Sequence, residues 1–129
     1  MQAQMIQDMP LVEFELLVAN KYRGKVDNAK SRGIDFALTL NEFRNLLLKK
    51  RCAYTGIPLT LHKQGHPVNA DLTIERVDSN KGYVRGNVIA VCSAANSVKG
   101  VLEDPNTFLS VNDAIRMFAK IGQLQKEMK

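Results

Sequence analysis

Leu72-Thr73-Ile74-Glu75-Arg76-Val77-Asp78, followed by Lys81-Gly82-Tyr83, Gly86-Asn87-Val88-Ile89-Ala90-Val91-Cys92 and Asn96, is the stretch that decides how this chain folds. Leu72 and Ile74 alternate with Thr73 and Glu75, the two-residue period of a half-buried strand. Val88 to Val91 is wholly apolar and β-branched-rich, as a buried strand requires. The ten residues Asp78 to Asn87 between them carry Ser79, Asn80, Gly82 and Gly86, all turn formers. A helix is predicted from about Cys92 to Lys99, giving the order strand, long loop, strand, helix.

Outward from this unit the chain reads as helical, so the class predicted is α+β. Leu11, Phe14, Val18, Tyr22, Val26 and Ala29 recur at spacings of three and four, the stripe of an amphipathic helix that starts at Pro10 and stops at Gly33. Gly24 inside it predicts a bend or close packing. Asp35-Phe36-Ala37-Leu38 is a short extended link. Thr39-Leu40-Asn41-Glu42 fits a capping box, opening a helix that buries Leu40, Phe43, Leu46 and Leu47 and runs to about Lys50. Cys52 to Gly56 is a tight turn, and His62 to Asn69 an exposed loop. Downstream, Ser110 and Asp113 cap a last helix whose inward stripe is Val111, Ile115, Phe118 and Ile121. Residues 1–9 are expected to be disordered, and residues 10–129 to form one domain with its core at about 52–100.

Length and composition agree with this organisation. At 129 residues, 45% hydrophobic and 24% charged, the chain suits one globular domain. No apolar run approaches a membrane span and no secretory leader is visible, so the expected location is cytoplasmic and no membrane partner is predicted. In that compartment Cys52 and Cys92 are not expected to form a disulfide, and two thiols fall short of a four-ligand structural zinc site. Net charge is +5, and between Lys21 and Arg51 nine basic residues face three acidic ones. Such a surplus favours anionic partners without naming one. For Lys49-Lys50-Arg51, favourable placement at a helix C-terminus is an equally good explanation.

The spaced motifs Glu75-Arg76-Val77-Asp78, Lys81-Gly82-Tyr83, Gly86-Asn87-Val88, Cys92 and Asn96 to Lys99 resemble the HNH (ββα-metal, His-Me finger) endonuclease superfamily. The resemblance is to the subgroup of small, often phage-encoded proteins related to endonuclease VII. Lys30 to Phe36 and Cys52 to Thr60 resemble that subgroup too, so the likeness covers about Tyr22 to Gly100. It implies a ββα-metal core flanked by N-terminal helices and a C-terminal helix, and hydrolysis of DNA phosphodiester bonds with a divalent cation. Carried over by position, Glu75 matches the acidic metal ligand, Asn96 the helix ligand, and Asn87 the asparagine that anchors the loop. Oxygen ligands suit Mg²⁺ or Mn²⁺.

The sequence departs from the family where its general-base histidine should stand, at Arg76. A guanidinium has no acceptor and stays protonated, so Arg76 cannot be a base; it can clamp a phosphate. Asp78 is the nearest substitute base or further metal ligand. His62 and His66, the only histidines, lie in the upstream loop. In zinc-stabilised members two CxxC pairs flank the hairpin, whereas here those slots read Cys52 to Thr55 and Cys92 to Ala95. No structural zinc is expected there, only apolar packing of Cys52 near Cys92.

The expected catalytic set is therefore Glu75, Arg76, Asp78 and Asn96, with Glu75, Asn96 and Asp78 on metal. Nucleic acid is expected to meet Lys21, Arg23, Lys25, Lys30, Arg32, Lys81, Arg85 and Lys99. Each assignment has a bland counterpart: Glu75, Arg76 and Asp78 as a surface ion pair, Asn96 as an internal hydrogen-bonding group. Three functions stay open: a metal-dependent endonuclease, a catalytically inactive module that binds nucleic acid, and a protein that binds and inhibits a host protein. A homodimer is compatible with the resemblance.

Overall fold

In the computed structural model, which describes residues 4–61 and 65–128, the chain is α+β and divides into two compact units, Met1–Asn96 and Ser97–Lys129. The first unit opens with a hairpin of β1 (Met5–Ile6) and β2 (Met9–Pro10), where disorder was expected. Its turn puts Gln7 and Asp8 at φ 50° and 61°, and Met9 is buried. Residues 1–3 lie outside the described residues.

Helix α1 (Leu11–Ser31) follows directly, with Pro10 as its N-cap. It ends in a Schellman arrangement: Ile34 N–H donates to Ala29 C=O (2.8 Å) and Gly33 N–H to Lys30 C=O (3.1 Å), with Gly33 at φ +68°. Phe14, Val18 and Ala29 are fully buried, and Tyr22 donates its hydroxyl to Leu38 C=O at 2.6 Å. Gly24 does not serve close packing: a Cβ there meets nothing within 4 Å.

Helix α2 (Leu40–Leu47) carries the predicted capping box, with Glu42 N–H donating to the Thr39 hydroxyl and Thr39 N–H to the Glu42 carboxylate. Phe43 and Leu47 are buried; Leu40, expected inside, is 49% exposed because it occupies the first helical position, beyond the core edge. The helix stops three residues before Lys50, and Arg51 instead donates to Gly56 C=O.

Strands β3 (Leu72–Arg76) and β4 (Val88–Cys92) pair antiparallel, with Leu72 opposite Cys92 and Arg76 opposite Val88. Leu72 and Ile74 enter the main core with Phe14, Phe43, Leu47 and Tyr83. The Asp35–Ala37 link is extended and docks on the β3–β4 loop: Tyr83 N–H donates to Asp35 C=O and Ala37 N–H to Tyr83 C=O. Gly82 makes this possible, since a Cβ there would lie 2.5 Å from Asp35 O. β4 runs straight into α3 (Ser93–Glu103), which crosses from the first unit into the second.

In the second unit α4 (Val111–Glu127) has the predicted Ser110–Asp113 capping box. Its stripe is not buried as expected: Val111, Ile115, Phe118 and Ile121 are 43–62% exposed, and Ala114 is the buried residue of the helix. A unit this small has too little chain of its own to cover the stripe. Among the described residues no helix is long and apolar enough to cross a membrane.

Candidate active site

Strand alternation sends Leu72 and Ile74 to the core and turns Thr73 and Glu75 to the opposite face. Glu75 is half-buried and sits opposite Ile89 in the hairpin register. Asn96 is half-buried in the first turn of α3, four residues beyond the end of β4. The ladder therefore leads directly from the strand that carries the carboxylate to the helix that carries the amide.

The loop between the strands is closed by Asn87, the one buried polar residue among the described residues. Its side-chain oxygen accepts from Asp78 N–H (2.9 Å), and its amide donates to the carbonyls of Asp78 (3.1 Å) and Gly82 (3.0 Å). Asp78 turns its carboxylate onto Asn80 N–H at 2.9 Å, a local Asx turn. Arg76 points into its own loop, where Nη1 donates to Ser79 C=O (2.9 Å) and Lys81 C=O (3.1 Å). Its guanidinium lies 5.3 Å from the centroid of the Tyr83 ring. Both side chains thus support the loop on which a site would stand.

Glu75 offers a carboxylate and Asn96 an amide carbonyl, one from the strand and one from the helix. That chemistry fits a hard divalent ion, since Mg²⁺ is commonly held by one or two protein oxygens and completed by water and substrate phosphate. Among the described residues no group of three or more His, Cys, Asp and Glu converges as a ready-made metal cluster. His66 is exposed; His62 lies outside the described residues.

The basic residues separate into three sets. Arg23, Lys30, Arg32, Lys81 and Arg85 are exposed, with Arg23 3.9 Å from Asp27 and Arg85 3.5 Å from Glu42. Lys99, in the second unit, is 2.9 Å from Glu103. Lys21 and Lys25 are half-buried and line a pocket of about 340 Å³ together with Thr73 and Asn96, over Phe43 and Leu47. Lys25 also places its ammonium 4.8 Å from the Tyr83 ring centroid, so this ring meets both Lys25 and Arg76. Thr73 was not singled out from sequence, because an alternating threonine in a strand carries no distinguishing signal.

Cys52 and Cys92 are buried in one small apolar cluster with Val91, against which Leu59, Ile89 and Ala95 pack. The Thr55 hydroxyl is 4.0 Å from Cys92 Sγ. Burial pushes the Cys52 thiol up, but hydrogen bonds from the Thr55 hydroxyl and the backbone of Cys92, Thr55 and Tyr54 outweigh it and bring it to about 7. The four slots flanking the hairpin thus come together as two thiols, a hydroxyl and a methyl.

No protein-family model matches the chain, and no solved structure matches it. Over 72 residues it is 42% identical to an uncharacterised 29.0 kDa protein from the dda-modA intergenic region of Enterobacteria phage T4, a match spanning 56% of this chain. Over 91 residues, 70% of its length, it is 28% identical to an uncharacterised protein of Acanthamoeba polyphaga mimivirus. The chain is therefore similar to segments of two larger viral proteins, spanning 27% of the first and 16% of the second.

Proposed function

We propose that the chain is a metal-dependent endonuclease domain that hydrolyses phosphodiester bonds of DNA. One observation carries this reading: an antiparallel hairpin, its loop clamped by Asn87, runs without a break into a helix, with Glu75 on the first strand and Asn96 on the helix's first turn. Glu75 and Asn96 would hold a Mg²⁺ or Mn²⁺ ion, which supplies Lewis-acid stabilisation of charge building on the phosphate. Arg76 and Asp78 rigidify the loop beside them, and the exposed Lys30, Arg32 and Lys81 attract the polyanion. Arg76 cannot take a proton from water, so hydrolysis proceeds without a positioned histidine, about 10²–10⁴-fold below an enzyme that has one.

The test is nicking of supercoiled plasmid and of branched DNA across a series of divalent ions. Nicking that requires Mg²⁺ or Mn²⁺ and disappears in Glu75→Ala and Asn96→Ala is expected; both variants cutting like the wild type would refute the assignment. The inward engagement of Arg76 and Asp78 favours a second reading, a module that binds nucleic acid without cutting it. Salt-sensitive DNA binding with no nicking under any ion selects that reading.

A further inference from the structure

Phe14, Val18, Lys21, Lys25 and Ala29 follow one another along α1 at steps of four, three, four and four. On a helix of 3.6 residues per turn these five positions share one narrow face. Phe14, Val18 and Ala29 are at most 1% exposed, so that face is the one turned to the core. Two lysines therefore occupy the middle of an apolar stripe, the position where charge is least tolerated. Neither reaches straight out to water: both are half-buried and border the 340 Å³ pocket described above.

The remaining polar groups of that pocket match an anion. Thr73 Oγ1 is buried and has no hydrogen-bond partner among the described residues, a rare condition that calls for a ligand or a water. Asn96 contributes an amide to its lining. Desolvation holds the Lys21 ammonium below the ordinary lysine value, with the Asp71 carboxylate acting the other way. An anion seated between the ammonium groups would relieve the first effect and satisfy the Thr73 hydroxyl.

We propose that this pocket seats a backbone phosphate of a nucleic-acid strand, received by Lys21, Lys25, Thr73 and Asn96. The proposal rests on the nucleic-acid part of the reading above and is independent of cleavage.

The experiment is fluorescence anisotropy of a short labelled DNA duplex with the full chain in EDTA, from about 50 to about 200 mM salt. Lys21→Met and Lys25→Met are each expected to weaken binding about tenfold and to flatten the log–log salt slope by about 0.9. Thr73→Val should weaken binding with the slope unchanged, and the exposed control Lys30→Met should fall less than any of the three. The two methionine variants restore the apolar stripe, so they are expected to melt at or above the wild-type temperature; reduced binding in a more stable protein excludes misfolding as its cause. Wild-type affinity and slope in both lysine variants overturn the pocket. Melting raised by millimolar inorganic phosphate in the wild type but in neither lysine variant, together with no duplex binding, overturns the nucleic-acid source and leaves a free-phosphate site. Since EDTA removes divalent ions, loss of nicking in the separate assay does not touch this result, and intact nicking with unaltered binding in the variants refutes the pocket alone.

Discussion

Replacing Asn87 by alanine removes three hydrogen bonds at once: the acceptor for Asp78 N–H at 2.9 Å and the donors to Asp78 C=O at 3.1 Å and Gly82 C=O at 3.0 Å. Each such bond contributes roughly 0.5–1.5 kcal/mol net, and more where a partner left behind stays dry. Asp78 and Gly82 are half-buried, so water recovers part of the loss. A destabilisation of about 2–3 kcal/mol follows, which in a unit of this size lowers the melting temperature by roughly 10–20 °C. The backbone bond from Val77 N–H to Asn87 C=O survives the substitution, so the strands stay in register and the loop alone loosens. Asn87→Asp is the informative companion: it keeps the acceptor for Asp78 N–H but sets a carboxylate against two carbonyls, and should destabilise at least as much. Both effects are read from thermal and urea unfolding followed by circular dichroism. An Asn87→Ala protein melting within about 3 °C of the wild type would refute the view that this side chain holds the loop.

Gly82→Ala places a methyl 2.5 Å from the Asp35 carbonyl oxygen that accepts Tyr83 N–H, so the link and loop must separate. A loss of about 1–3 kcal/mol is expected in urea unfolding, with α2 helicity retained. The Cys52 thiol titrates near 7 in the folded chain against an ordinary value of 9.0. Between those values the unfolded chain binds more protons, so folding stability should rise with pH from 7 to 9, and this contribution should vanish as pH falls through 7. The gain is up to about 2 kcal/mol, seen as the difference between wild-type and Cys52→Ala urea midpoints; parallel pH profiles for the two would show that the thiol is not depressed.

The elements written in local chemistry were legible. Thr39 and Glu42 announce α2 through a reciprocal pair of hydrogen bonds, and Ser110 and Asp113 announce α4 in the same way. The Leu72–Ile74 alternation and the apolar Val88–Val91 run gave the hairpin to within a residue. The β1–β2 hairpin was not legible, because its turn forces Gln7 and Asp8 to positive φ without the glycine or asparagine that usually signals it. The α4 stripe could be recognised as apolar, but a pattern does not say whether a surface exists to receive it. At the site, the loop-anchoring role of Asn87 was implied by the resemblance alone. Lys21 and Lys25 enter the expected nucleic-acid set as members of a basic run counted along the chain; their phase with Phe14, Val18 and Ala29, which that count ignores, sets them on the inward face of α1. The bonds of Arg76 to the carbonyls three and five residues on carry no sequence signal, since any backbone offers such acceptors.

The clasp between Asn87 and the peptide groups of Asp78 and Gly82 also fixes a length. With both anchor points held by one side chain, the intervening segment has a set number of peptide units to close the distance, and Lys81 N–H on Asp78 C=O tightens the first part of it. A residue added or removed between 79 and 81 would pull Gly82 off Asp35 or leave the amide of Asn87 without an acceptor. Change in this segment is thereby channelled into replacing exposed side chains such as Asn80, Lys81 and Arg85, while insertions and deletions are turned away to stretches that no single residue spans.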